Sequence, residues 1–353
     1  MTWLRKNIET LSPYVPGFQP RDDGYIKLNT NENPYPPSPR VTDALRGIAP
    51  ASLRLYPDPG SERLRDKLAA AYGFQRSNVI VGNGSDELLS MALRAFLDPG
   101  EKAVCPAPSY PLFGVLVRIQ AGELEEIELD KDFKLSSKFK RAQAKIKFLA
   151  SPDSPTGAVH PPEQVDEIIE RTDGLVIVDE AYVDFAETDC LSLVRKYPHL
   201  LVTRTFSKSF ALAGIRVGYG FASEEIISGM MKVKDSYNLN RISALAAEAA
   251  LEDREYHEKI VRAVKEEREY LKNRLEEMGF HVYPSGANFL LVRPEGSRAE
   301  EIYLALLDRK ILIRYFQTPL LRDCLRISVG CRREMDQLLQ ALKEIENSKE
   351  GRL

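Results

Sequence analysis

The stretch from Thr205 to Gly220, TFSKSFALAGIRVGYG, sets Lys208 between two serines and places Arg216 eight residues later. Most lysines are solvated surface charges, but an amine held partly out of water can form a Schiff base with a carbonyl compound. Thr205, Ser207 and Arg216 surround it with donors suited to phosphate oxygens, the arginine as a fork. Asp179 closes the apolar run LVIV in LVIVDEAYVDF. An unpaired charge buried there is costly, so this carboxylate either caps the next element or faces a cation. Gly82-Asn83-Gly84-Ser85-Asp86-Glu87 joins NVIV to a helical pattern. Its glycines allow a tight turn, and the N–H groups at a helix start suit a phosphate. Turns of this kind also join strands to helices with no ligand, and this one matches neither the P-loop nor GxGxxG. In LASPDSPTGAV, Pro152, Pro155 and Gly157 force an irregular turn. Arg314 after ILI and Arg326 in CLRISVG either bind a substrate anion or sit in surface salt bridges.

Short apolar runs alternating with helical patterns must position these residues. NVIVGNG, AVCP, KIKFLA, LVIVDEAY and LLVTRTFSK read as strands, separated by SDELLSMALRAFLDPG, PPEQVDEIIERT and similar helices. That alternation predicts an α/β unit with a largely parallel sheet covered on both faces, where sites lie beyond the carboxyl ends of the strands. SERLRDKLAAAYG (61–73) reads as a helix with Ser61 as N-cap and Gly73 closing it. A long amphipathic helix follows from Asp253 to Met278, with Ile260, Val264, Leu271 and Leu275 on one face. HVYP, ANFLLVRP, SRAEEIYLALLDRK, ILIRYF, LRISVG and a last helix from about Arg333 to Asn347 then suggest a smaller α+β unit.

Composition narrows the function. The 353 residues, 43% apolar, suffice for a substantial core and two domains. Forty-nine Lys plus Arg against 52 Asp plus Glu leave a net charge of −3, which offers no general attraction to nucleic acid or anionic membrane. No run reaches the roughly 20 apolar residues of a membrane span, and MTWLRKNIETLSPYVPG lacks the apolar core of a signal peptide, so a cytoplasmic location is expected. Four cysteines without a CxxC pair and only four histidines argue against a metal site or a disulfide scaffold.

The motifs PYVPG, KLNTNENPYPPSP, LRLYPDP, VGNGSDELL, PAPSYPLF, IVDEAYVDF, RTFSKSFALAGIRVGYG, SGANFLLV and CLRISVG occur in that order. Together they resemble, over nearly the whole chain, the fold-type I enzymes of the class I/II aminotransferase family, which depend on pyridoxal 5′-phosphate (PLP). The resemblance implies a large domain with a mostly parallel seven-stranded sheet between helices, plus a smaller α+β domain. It further implies an N-terminal arm over 1–35, a PLP-binding domain over 36–250 and a small domain over 251–353, with 253–278 as a linking helix.

By the same resemblance Lys208 would bind PLP covalently and then shuttle the substrate proton, which needs an amine that can be neutral near working pH. Asp179 would pair with the pyridine nitrogen, and Tyr182 would hydrogen-bond the phenolic oxygen. Tyr110 would stack on the ring, its alternative being ordinary core packing. Ser85, Asp86, Thr205, Ser207 and Arg216 would surround the phosphate, and Tyr56 would reach that phosphate from a neighbouring subunit, which implies a homodimer. The family usually carries Asn just before Pro-Thr-Gly, bonded to the phenolic oxygen; here that position is Ser154, preceded by Asp153. The contact is then lost, bridged by water or left to Tyr182, at a cost on the order of 1 kcal/mol.

Arg326 resembles the arginine that binds substrate carboxylates, with Arg314, Tyr14 and Asn288 beside it. The motif set is most similar to the branch acting on histidinol phosphate. It implies conversion of L-histidinol phosphate and 2-oxoglutarate to imidazole-acetol phosphate and glutamate, in histidine biosynthesis. Aromatic-amino-acid aminotransferases and threonine-phosphate decarboxylases share this scaffold and remain alternatives. A non-catalytic PLP-binding regulator would be expected to carry a helix-turn-helix, for which the residues before NENPY are too few.

Overall fold

The computed structural model describes residues 3–22, 24–295 and 299–350. Residues 1 and 2 of the expected arm, Asp23, the Ser297-Arg298 start of one helical pattern and residues 351–353 lie outside the described residues.

Seven strands form one sheet in the order Val79–Gly82, Gly218–Ala222, Leu200–Thr205, Leu175–Asp179, Ile146–Ala150, Lys102–Ala107 and Glu123–Glu128. The last five run parallel, whereas Gly218–Ala222 is antiparallel to both of its neighbours. The central strands are buried on both faces, as an all-apolar run flanked by helices requires. Alternation still sorts their side chains: Val176 and Val178 join one core, Leu175 and Ile177 the other. Two strands are absent from the sequence reading. GYGFA has two glycines and no β-branched residue, and ELEEIE carries four glutamates. The latter sits at a sheet edge, where charge discourages further pairing.

A second, antiparallel sheet runs Arg314–Tyr315, Leu325–Ser328, Phe289–Pro294, Phe280–Val282. Its core gathers Leu271 and Leu275 of the 24-residue helix Arg254–Glu277 with Leu290, Ile327, Leu306 and Leu338. ILIRYF, a single run in the sequence, is split: Ile311–Leu312 pairs in parallel with Ile26–Lys27, and Arg314–Tyr315 joins the second sheet. The N-terminal segment is thereby stitched to the C-terminal half, with Leu28 in its core.

Helix Glu62–Tyr72 has Ser61 at its N-cap position and Gly73 closing it in the left-handed region, but the cap itself differs from expectation. Ser61 has φ 45° and its hydroxyl makes no capping bond; the Asp58 carboxylate accepts from Gly60 and Glu62 N–H at 2.9 and 2.6 Å instead. Among the described residues no helix is long and apolar enough to cross a membrane.

Candidate active site

A cavity of about 510 Å³ opens beyond the carboxyl ends of Ile146–Ala150, Leu175–Asp179 and Leu200–Thr205. Lys208, Asp179, Tyr182, Tyr110, Ser85, Asp86, Ser154, Thr205, Ser207, Arg216, Tyr14, Arg314 and Arg326 all line it, although they come from segments scattered over the chain.

One end is a cradle for an anion. Helix Ser85–Phe96 starts after Gly84, whose φ of +88° favours glycine, and its first residues Ser85 and Asp86 line the cavity, which places the helix start, where N–H groups lack intrahelical partners, at the cavity wall. A Cβ on Gly84 would lie 2.5 Å from Arg216 Nη2, and one on Gly218 would lie 2.3 Å from the Ser85 nitrogen. Both glycines therefore permit close approach. Arg216, itself at φ +57°, donates to Ser207 Oγ at 3.3 Å and meets the Asp86 carboxylate at 3.3 Å. Thr205 Oγ1 bonds Ser207 Oγ at 3.0 Å, completing a hydroxyl and guanidinium cluster.

In the middle, the Asp179 carboxylate is buried and accepts from Thr203 Oγ1 at 3.0 Å. Burial pushes it up to about 7, with the Thr203 bond opposing and the Asp86 charge adding to the rise. Its neighbour Glu180 points away into a paired site, accepting from Arg204 Nε at 2.8 Å and from the Cys190 N–H at 2.5 Å, with Arg204 Nη2 in ion-pair contact at 2.7 Å. Asp179 makes no ion pair among the described residues. Lys208 Nζ donates to the Thr30 carbonyl at 3.2 Å and stands 5.4 Å from the centre of the Tyr182 ring. Tyr110 donates to Asp86 Oδ1 at 3.0 Å and packs edge-on against Phe113 and Tyr14; burial, then the Asp86 charge, raises its phenol, so it stays protonated.

The far end holds two arginines. Arg326 donates to Ser154 Oγ at 3.0 Å and to the Asn29 carbonyl at 2.8 Å, has no carboxylate partner among the described residues, and keeps a buried Nε with no hydrogen-bond partner. Burial lowers its pKa, with Tyr182 opposing and the neighbouring Arg314 charge adding to the fall. Arg314 donates to the Val15 and Pro16 carbonyls at 3.2 and 3.4 Å and so holds the N-terminal segment as a wall of the cavity. Ser154 Oγ thus accepts from Arg326, which leaves its own proton free to donate. The Asp153 carboxylate beside it, pushed up to about 6 by burial, accepts from Ser109 Oγ at 2.5 Å and Thr156 Oγ1 at 2.9 Å and holds the turn.

Asn288 lies off the cavity that was expected to include it, and Tyr56, expected at a neighbouring subunit's phosphate, lies outside the cavity of its own chain. Asn288 is fully buried and off the cavity wall, where its amide donates to the Asn31 carbonyl at 3.0 Å; it touches the site through Asn31. Tyr56 is 77% exposed, stacked on Tyr237 at 4.5 Å and outside the cavity of its own chain. Conversely, Asn29, Thr30, Asn31 and Phe316 line the cavity and went unremarked in the sequence, the first three within the NTNEN run whose density of amides was the available signal.

The donor set fits PLP: hydroxyls, helix-start N–H groups and Arg216 for a phosphate, a buried unpaired carboxylate for a cationic ring nitrogen, and a lysine amine between them.

These features define a PLP-type transferase site, and the chain belongs to the aminotransferase class I and II family, whose description it matches over residues 23–343. It is 44% identical over 346 residues to a histidinol-phosphate aminotransferase of Citrifermentans bemidjiense, covering 98% of this chain and 99% of that protein. A histidinol-phosphate aminotransferase of Syntrophotalea carbinolica is 43% identical over 98% of this chain and all of its own length. Among solved structures, histidinol-phosphate aminotransferase from Sinorhizobium meliloti in complex with pyridoxal-5′-phosphate superposes with a TM-score of 0.88 at 27% identity, covering 99% of this chain and 98% of that one. The large, mostly parallel sheet is that of fold type I.

Proposed function

We propose that this chain is a PLP-dependent transaminase that transfers the amino group of L-histidinol phosphate to 2-oxoglutarate, giving imidazole-acetol phosphate and L-glutamate in histidine biosynthesis. The observation that carries the reading is the cavity's polarity: an anion cradle at one end, two guanidiniums without carboxylate partners among the described residues at the other, and Lys208 and Asp179 between. The 44% identical relative supports the choice of substrate.

When bound, PLP supplies an electron sink for the negative charge left on the substrate carbon after deprotonation. Ser85, Asp86, Thr205, Ser207 and Arg216 hold the phosphate, chiefly through N–H, hydroxyl and guanidinium donors. Asp179 keeps the ring nitrogen protonated, which returns a counter-charge to a carboxylate that burial otherwise disfavours. Tyr110 and Tyr182 orient the ring and its oxygen. Lys208 Nζ takes the proton from the amine-bearing carbon and redelivers it. Arg326, with Arg314 and Tyr14, binds the phosphate of one substrate and the carboxylates of the other in turn, since a guanidinium fork satisfies either anion.

Residues 36–250 form the cofactor-holding unit and 251–353 the smaller one, with the 1–35 arm contributing to the latter and to the site; the pairing of Ile26–Lys27 with Ile311–Leu312 supports this division. The working unit is a cytoplasmic homodimer in which Tyr56 reaches the neighbouring phosphate. Its exposure, with Leu53, Leu55, Tyr237 and Ile242 also exposed, supports that role. Single-turnover rates with histidinol phosphate, phenylalanine, tyrosine and threonine phosphate test the substrate. The expected outcome is the highest kcat/KM for histidinol phosphate; preference for an aromatic amino acid, or carbon dioxide release from threonine phosphate, would overturn it.

A further inference from the structure

Asn31 lies in the N-terminal segment at φ +58°, in the left-handed region that asparagine tolerates better than most residues. It is buried, yet it borders the cavity. Its backbone N–H donates to Ser328 Oγ at 2.9 Å, and its carbonyl accepts from Asn288 Nδ2 at 3.0 Å. Its side-chain Oδ1 accepts from Ser328 Oγ at 2.8 Å, and its Nδ2 donates to Tyr182 Oη at 3.0 Å.

These bonds fix the direction of the protons. A backbone N–H can only donate, so Ser328 Oγ accepts from it, and the serine's own proton goes to Asn31 Oδ1. With the amide turned over, two donors would meet the Ser328 hydroxyl and its buried proton would lose its acceptor, an arrangement that native interiors avoid. Nδ2 therefore faces Tyr182 and, lacking a usable lone pair, donates to it. Tyr182 Oη receives a hydrogen bond from behind, and its own proton is left for the cavity side, where Lys208 stands over the ring.

We infer that Asn31, pinned by Ser328 and braced by Asn288, is a positioning residue that orders the proton of Tyr182, so that the phenol donates into the cavity and does not accept from it. The inference rests on the PLP reading above, in which the recipient is the cofactor's ring oxygen. A bond received by a hydroxyl also strengthens the bond it gives. A hydroxyl donating to the ring oxygen withdraws charge from it and lowers the pH at which the Lys208 nitrogen, linked to the cofactor, gives up its proton.

The test is the pH midpoint of the cofactor's visible absorption in the PLP-loaded protein, compared for wild type, Asn31→Asp, Tyr182→Phe and the double variant. A carboxylate at 31 accepts from Tyr182 and turns its proton away, so the midpoint should rise by about one pH unit. In the Tyr182→Phe background the same substitution should add clearly less, the direct effect of its charge alone, because there is no phenol proton left to redirect. A shift of equal size in both backgrounds would be the plain effect of a new charge and would overturn the inference, as would no shift at all. Ser328→Ala introduces no charge and frees the Asn31 amide; a smaller upward shift is expected, and an unchanged midpoint would also contradict the proton order. A wild type that takes up no PLP overturns the PLP reading and this inference with it, whereas a wild type that binds and titrates normally confines any failure to Asn31.

Discussion

Glu180 and Asp179 are consecutive buried carboxylates at the end of one strand, and their surroundings are opposite. Glu180 meets the Arg204 guanidinium through two contacts and the Cys190 N–H through a third. Asp179 has a hydroxyl partner and no cation among the described residues. The arginines repeat the contrast: Arg204 sits between the Glu180 and Asp189 carboxylates, while Arg326 has a serine hydroxyl and a carbonyl and no carboxylate partner among the described residues. Paired charges in this interior hold the fold. Asp179 and Arg326 line the cavity, and the energy withheld there from the folded chain is available to a ligand of opposite charge.

Substituting within each pair breaks or sharpens this contrast. Glu180→Gln should have the largest effect on stability, about 3–5 kcal/mol lost in denaturant unfolding, because Arg204 is left buried without its main counter-charge. Activity of the surviving folded fraction should change little. Asp179→Asn should do the reverse, lowering kcat/KM by about 10²–10³-fold through loss of a preorganised charge at the ring nitrogen. Its stability effect has a defined sign. The folded-state pKa is raised to about 7 from an ordinary 3.8, so the contribution is present below pH 3.8 and is lost as pH rises through 7. Cofactor-free wild type should therefore lose thermal stability relative to cofactor-free Asp179→Asn between those limits, and at pH 8 the variant should melt higher. A variant that melts lower throughout would mean that Asp179 is a structural group like Glu180. The smallest effect is expected for Ser154→Ala: losing one bond to Arg326, about 1 kcal/mol, should raise KM for anionic substrates about fivefold at nearly unchanged kcat.

The residues visible in the sequence were those attached to strand ends. Lys208, Asp179, Ser85, Asp86 and Arg216 each follow an apolar run or a glycine turn, and the α/β alternation places such positions along one edge. What stayed hidden depends on distant pairing. Asn31 meets Tyr182 across 151 residues and Ser328 across 297, separations that no local pattern encodes. The Glu180–Arg204 pair hides inside two strand-like runs, where neither charge announces which way it points. Asn288 stands in a motif that suggests a ligand contact, yet tertiary packing places it one layer behind the wall. The strand Gly218–Ala222 lacks the β-branched signal because Gly218 must let the Ser85 backbone approach, a demand set by the cradle and not by strand propensity.

The claim that the unpaired amine and the unpaired carboxylate share one cofactor is tested most directly by adding PLP to cofactor-free protein, reducing with borohydride and mapping the label by peptide mass. The account predicts a visible absorption band in wild type, a stable label on Lys208, and loss of both in Lys208→Ala. An uncoloured wild type, or a label on another lysine with Lys208→Ala still coloured, would contradict it.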